Sequence, residues 1–240
     1  MMAGPDRTAL SYWFPKLVAA DLPVPETAPI PMPARAQEDI WRIFDGKEMT
    51  GAAQPFFDTV KSVADLIGYP CFLRTDHTSA KHDWERTCCL DGPDNIAEHV
   101  IGIVEYSEMA GLIGLPYSRW VVREILPTRP IGVCPRFGNM PISREFRFFV
   151  EDAEIQCWHP YWPREALQQG GADNIESVYE QLCKVEDEGP LLELASAAGE
   201  AVGGAWSVDL LETERGWYVI DMAEAEKSFH WEGCEKARPS

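Results

Sequence analysis

The stretch from Trp206 to Trp231, WSVDLLETERGWYVIDMAEAEKSFHW, constrains the chain most, because it sets one aspartate near the centre of each of two adjacent strand-like runs. β-Branched and aromatic residues flank the polar tetrad Thr213-Glu214-Arg215-Gly216, so Trp206 to Glu212 and Trp217 to Met222 are predicted to form a β-hairpin. Aspartate is depleted in strands, so its presence in both arms needs a reason. A five-residue loop pairs Glu212 with Tyr218 and puts Asp209 directly opposite Asp221 on one face. Directly opposed side chains have Cβ atoms roughly 4.5 to 5.5 Å apart, and like charges there are destabilising. That register calls for something positive between them. A hard cation such as Mg²⁺, which takes one or two carboxylates together with substrate phosphates, fits better than a lysine that the pattern does not supply. A loop one residue shorter puts the two aspartates out of register, on opposite faces, with one solvated. Spacing leaves both registers open.

The rest of the sequence limits what such a hairpin can serve. A chain of 240 residues, 45% hydrophobic and 11% aromatic, is globular and long enough for two modest lobes. Its net charge of -18, from 21 basic and 39 acidic side chains, argues against DNA or any nucleic-acid backbone as a partner, so an anionic ligand needs a local basic pocket. No apolar run is long enough to span a bilayer, and MMAGPDRTALSYW lacks the blocks of a signal peptide, so a cytoplasmic protein with no membrane partner is expected. The seven cysteines, at 71, 88, 89, 134, 157, 183 and 234, form no CxxC pair. Zinc-ribbon and disulfide-framework readings both fail on that spacing, and the cysteines are expected as reduced core residues. His159 and His230 adjoin tryptophans and are expected as packed residues of core or rim, whereas His77 and His82 flank a polar loop.

In chain order, SYWFPKLVAADLPVPETAPIPMPAR is expected to lie extended across the globule through its prolines while Trp13, Phe14 and Leu17 are buried; recognition by a proline-binding domain is the alternative. Apolar residues at helical spacing (Ile40, Ile43, Phe44; then Phe57, Val60, Ala64, Ile67) predict helices that stop at Gly68. A buried strand, Pro70 to Arg74, precedes the loop TDHTSAKHDW, a helix from Asp94 to about Leu112 and a strand from Ser118 to Leu126. The Pro- and Gly-rich run Pro127 to Pro141 reads as a boundary between lobes. Beyond it come a hairpin, Glu145 to Val150 and Glu154 to Trp158 over Glu151-Asp152-Ala153, and helices at Asn174 to Val185 and Pro190 to Val202. Arg147 is unusual in so apolar a strand. The acidic run Glu186, Asp187 and Glu188 reads as a solvated turn.

Taken in order, FLRTDHTSAK, VVREIL, REFRFFV and the aspartate hairpin resemble the ATP-grasp superfamily, over most of the chain from Pro70 to Trp231. The resemblance implies an α+β fold: two α+β lobes with antiparallel sheets clamping a nucleotide, preceded by a short N-terminal segment. The corresponding division is 1–60 for that segment, 61–130 for the first lobe and 131–240 for the second. It further implies that Arg74 and Lys81 bind phosphates, that the main chain of Glu124, Ile125 and Leu126 contacts adenine, and that Arg147 faces the transferred phosphoryl group. Asp209 and Asp221 match the metal-ligand positions, Asp221 standing where a Glu is commoner. Ala223 occupies the place of an Asn usual in the family, and Glu224 substitutes as a ligand only if the strand bulges there. The loop Thr75 to Asp83 has no glycine, so it is not a flexible Gly-rich cover. Its Ser-Ala-Lys-His-Asp-Trp, and the opening YWFPKL, resemble the branch of the superfamily that contains the cell-division-cycle protein assisting assembly of a translation initiation factor.

With the resemblance comes a chemistry: ATP and Mg²⁺ as cofactors, an acylphosphate made from a carboxylate, and its displacement by an amine or similar nucleophile. Arg147 and Lys81 would be the catalytic cations, since phosphoryl transfer asks the protein for positioning and charge neutralisation. The implied partners are ATP with a carboxylate and an amine substrate. The same resemblance implies, as the alternative, an ATP-binding assembly factor that acts on a protein client without ligase chemistry.

Overall fold

The structure is a computed structural model and describes residues 6–110, 114–231 and 234. The chain divides into two compact units: 26–125 with 137–140, and 6–25 with 126–136 and the remainder from 141 onward. The expected leading segment 1–60 is therefore shared between them.

The chain opens with helix α1 (Leu10–Ala19), whose buried Leu10, Trp13 and Leu17 recur at helical spacing. It belongs to the second unit. Residues 26–125 then supply β1 (Thr27–Pro31), α2 (Ala34–Phe44), α3 (Gln54–Ile67), β2 (Cys71–Thr75), β3 (Cys89–Leu90), α4 (Ile96–Met109) and β4 (Arg119–Glu124). The strands form an antiparallel sheet in the order β1-β4-β2-β3. β1 is the proline run. Pro29 and Pro31 are tolerated because β1 is an edge strand, where a missing N–H faces no partner. One face of the sheet, with Ile30, Leu73, Trp120 and Val122, joins Ile40, Val60, Ala64, Val100 and Ile103 of the helices in a single core. Between α2 and α3, the buried carboxylate of Asp39 accepts from Thr50 N–H at 2.6 Å, Thr50 Oγ1 at 2.7 Å and Ala53 N–H at 3.0 Å. These bonds hold Asp39 well below the usual carboxylate range, at about 2. Part of the helix predicted from Asp94 to about Leu112 ends beyond α4, in residues outside those described.

The second unit adds a two-stranded ladder of β5 (Gly132–Cys134) and β6 (Met140–Ile142), then β7 (Glu145–Glu151), β8 (Glu154–Pro160), α5 (Arg164–Gly170), α6 (Ile175–Cys183), α7 (Gly189–Val202), β9 (Ala205–Thr213) and β10 (Gly216–Glu224). Its main sheet is antiparallel in the order β10-β9-β7-β8. Alternation along the strands puts Phe146, Phe148, Val150, Trp206, Val208 and Leu210 on the face under α7. That helix approaches closely because of one residue. A Cβ on Gly199 would stand 2.0 Å from Asp152 O in the β7–β8 turn. α1 docks on the same side, with Lys16 Nζ donating to Val202 O at 3.2 Å and Tyr12 stacked on Trp206 at 6.0 Å. The opposite face carries Arg147, Phe149, Cys157, His159, Ser207 and Asp209.

Candidate functional site

In the second unit the aspartates face each other, by a different route from the one expected. The loop is the shorter one: Thr213 pairs with Gly216, Trp217 with Glu212 and Tyr218 with Leu211, leaving Glu214 and Arg215 as a two-residue turn. Thr213 Oγ1 closes it, accepting from Arg215 N–H at 3.0 Å and donating to Gly216 O at 2.7 Å. Continued regularly, that register would put Ile220 opposite Asp209 and Asp221 opposite Val208, on the core face. A β-bulge between Val219 and Asp221 absorbs Ile220, and Asp221 comes to pair with Asp209. The bulge lets both Val219 and Met222 be buried while Asp221 keeps to the other face.

The positive charge that the opposed aspartates call for is already supplied from the neighbouring strand. Arg147 pairs with Asp209 across β7 and β9 and binds it bidentately, Nε to Oδ1 and Nη2 to Oδ2, both at 2.7 Å. Side-chain exposures of 15% and 6% make this a largely buried pair. Burial opposes the charged guanidinium, but the charge and hydrogen bonds of Asp209 outweigh it and raise Arg147 above its ordinary range. Arg147 also lies 4.8 Å from the Tyr161 ring centroid and donates to Phe229 O at 3.3 Å. Asp221, half-buried, accepts its own neighbour's Met222 N–H at 3.1 Å.

Glu224 does not join this set, which corrects the expectation for it as a ligand. The pairing from Asp221 to Glu224 is regular, with no bulge, so Glu224 stands opposite Trp206 on the α7 side of the sheet. There it forms ion pairs with Arg7, at 3.3 Å, and with Lys227. Of the three carboxylates expected as metal ligands, only Asp209 and Asp221 share a face. These residues fit Mg²⁺ as a two-carboxylate set, because a carboxylate has about four lone-pair sites and Arg147 uses two of those on Asp209.

In the first unit, Arg74 sits on β2 opposite Val121 and Arg123 on β4 opposite Phe72. Both point to the face away from the helical core and are buried there. Arg123 was missed from the sequence, although its place two residues from Val121 on β4, beside Arg74, marks the same face. Arg123 Nε donates to Thr27 Oγ1 at 3.0 Å. Lys81 begins a short 3₁₀ turn, Lys81–Arg86, just after Ala80 in the left-handed region, and His82 stacks on Phe137 at 4.7 Å. Burial, and then the charge of Lys81, hold His82 below the ordinary histidine range. The loop from Thr75 is closed by its own bonds: Thr75 N–H donates to Thr78 O at 2.8 Å, and Thr75 Oγ1 accepts from His77 N–H at 3.2 Å and Thr78 N–H at 3.0 Å. Glu124 ends β4 paired with Cys71, and its N–H donates to Glu26 O at 3.0 Å. Ile125 and Leu126 follow the last paired residue, and the chain passes from one unit to the other between them.

No family model matches the sequence, and no curated protein matches it. Solved structures do resemble the fold. Cdc123 from Schizosaccharomyces pombe superposes with a TM-score of 0.55 at 14% identity over 93% of this chain and 87% of that one. A RimK domain ATP-grasp protein from Sphaerobacter thermophilus gives 0.51 at 18% identity over 92% of this chain, which spans 59% of that protein's length. D-alanine–D-alanine ligase from Bacillus anthracis, solved with ATP, gives 0.51 at 9% identity, with 91% of this chain and 55% of that one covered. Two α+β units with antiparallel sheets, in the order seen here, make this chain an ATP-grasp fold.

Proposed function

We propose that the protein is an ATP- and Mg²⁺-dependent ligase that activates a carboxylate as its acylphosphate and passes it to an amine or related nucleophile. The observation that carries this reading is the Arg147–Asp209 pair with Asp221 opposite, on one strand face of an ATP-grasp fold. Asp209 and Asp221 would hold Mg²⁺, which when bound neutralises phosphate charge. Arg147, fixed in direction by its two bonds to Asp209, is pre-oriented to meet an anionic phosphoryl group, so little reorganisation is needed during reaction. Arg74 and Lys81 would bind phosphates, and the main chain of Glu124 to Leu126, the segment in which the chain leaves the first unit, would read adenine. Among the comparison structures, a ligase solved with ATP supports the nucleotide part of the reading.

The test is release of ADP and phosphate from ATP and Mg²⁺ when pools of amino acids, peptides or small carboxylates are offered. Turnover that requires a carboxylate supports the ligase. ATP binding with strict silence toward every pool contradicts it and leaves an ATP-binding assembly factor that acts on a protein client.

A further inference from the structure

A second cluster lies on the Arg147 face of the same sheet, and nothing in the proposed chemistry uses it. After β10 the chain folds back through Ala225–Lys227, with Ser228 Oγ against Ser207 Oγ at 2.6 Å, and lays Phe229 to Trp231 along β7 and β8. His230 meets Phe149 edge-on at 4.4 Å, and Trp231 stacks on His159 at 4.7 Å. This return brings His230 Nε2 to 2.8 Å from Cys157 Sγ and places Cys234 beside them, its Sγ 3.6 Å from Trp158 O. The ligand atoms of Cys157, His230 and Cys234 all lie within 4.8 Å of one another.

We propose that Cys157, His230 and Cys234 bind a zinc ion that clasps the C-terminal segment onto β8. With Zn–S near 2.3 Å and Zn–N near 2.0 Å, the ligand atoms of a tetrahedral ion stand roughly 3.5 to 3.8 Å apart, which a small separation of Cys157 Sγ from His230 Nε2, now 2.8 Å apart, would reach within a cluster no wider than 4.8 Å. Two thiolates and an imidazole select a borderline-soft divalent ion over Mg²⁺ or Ca²⁺. Charge favours the same assignment. Each thiol gives up its proton to solvent on binding, and two thiolates cancel the charge of Zn²⁺, so the complex is neutral beside the buried Cys157. A further histidine packs against His230, although its ring nitrogens lie outside the group of ligand atoms within 4.8 Å of one another. His159, 3% exposed, has its ring centroid 5.5 Å from that of His230, roughly the separation of two imidazoles on one tetrahedral ion. Its Nδ1 lies 2.8 Å from Pro160 O, which can only accept, so the proton sits there and Nε2 presents its lone pair. That Nε2 is buried with no hydrogen-bond partner among the described residues.

Cobalt is the probe. Full-length protein, stripped with a chelator and kept reduced, is expected to take up one equivalent of Co²⁺ with a thiolate-to-cobalt charge-transfer band that Zn²⁺ abolishes. Cys234→Ser and His230→Ala should each lower affinity by about tenfold or more, whereas Cys183→Ser, at an exposed cysteine outside the cluster, should leave it unchanged. Cys234 is only half-buried, so its variant carries the test if the buried Cys157→Ser does not fold. Absence of the band, a band unaltered in Cys234→Ser, or a Cys157–Cys234 disulfide in protein purified under reductant would overturn the proposal.

Discussion

Arg147 reaches Asp209 with two N–H groups from the adjacent strand, and the pair is largely buried. Removing one member leaves the other charge desolvated and unpaired, which costs about 3 to 5 kcal/mol in buried pairs. Arg147→Ala should therefore lose stability of that order in a denaturant titration, and a loss under about 1 kcal/mol would mean that solvent reaches Asp209. Asp39 gives the pH dependence at this scale. Its folded carboxyl is held at about 2, against an ordinary 3.8. A depressed carboxylate stabilises the fold at pH values above the ordinary one and loses that contribution as pH falls through the folded value. The melting temperature of Asp39→Asn should lie below that of the parent protein at pH 7, and the gap should close between about pH 4 and pH 2. A gap independent of pH would contradict the bonds to Thr50 and Ala53.

Elements show where sequence sufficed and where it did not. The two hairpins, α3 with its stop at Gly68 and α7 up to Val202 follow from local periodicity, and each lies within a few residues of its predicted span. The proline run is different: as a segment it has the composition of an extended tether, and only pairing with β4, about 90 residues away in sequence, makes it a strand. Opposition of Asp209 and Asp221 was legible, but the reason for it was not. The loop is short, and a bulge at Ile220, set by burying both Val219 and Met222, restores the register. The same distance effect hid Arg147 as the partner of Asp209 and the approach of His230 and Cys234 to Cys157, since no spacing rule joins residues brought together by a chain reversal. Glu224 was misplaced because its side follows from strand alternation beyond the bulge. At this scale Gly199→Ala is the sharpest test. Its Cβ would meet backbone, which cannot swing aside, so α7 must shift from the β7–β8 turn at a cost of about 1 to 3 kcal/mol. Wild-type stability in the variant would show that α7 docks elsewhere.

For the whole molecule, a net charge of -18 makes ATP an improbable guest except where cations are concentrated. Within the first unit, Arg74 and Arg123 stand on one sheet face and Lys81 opens the 3₁₀ turn after β2. The fold was legible because its motifs occur in order, from the first-lobe strand to the last hairpin; the acceptor was not, because no motif of this chain specifies one. The central claim is that this ATP-grasp fold binds Mg²⁺ and ATP through Asp209 and Asp221, and thermal melting with and without millimolar ATP and Mg²⁺ tests it most directly. A ligand that binds only the folded state at about 100 times its Kd adds about 2.7 kcal/mol, so the midpoint should rise by several degrees, and the Mg²⁺-dependent part of that rise should vanish in Asp221→Asn. An unchanged midpoint for the parent protein, or a full Mg²⁺-dependent rise in Asp221→Asn, would contradict it.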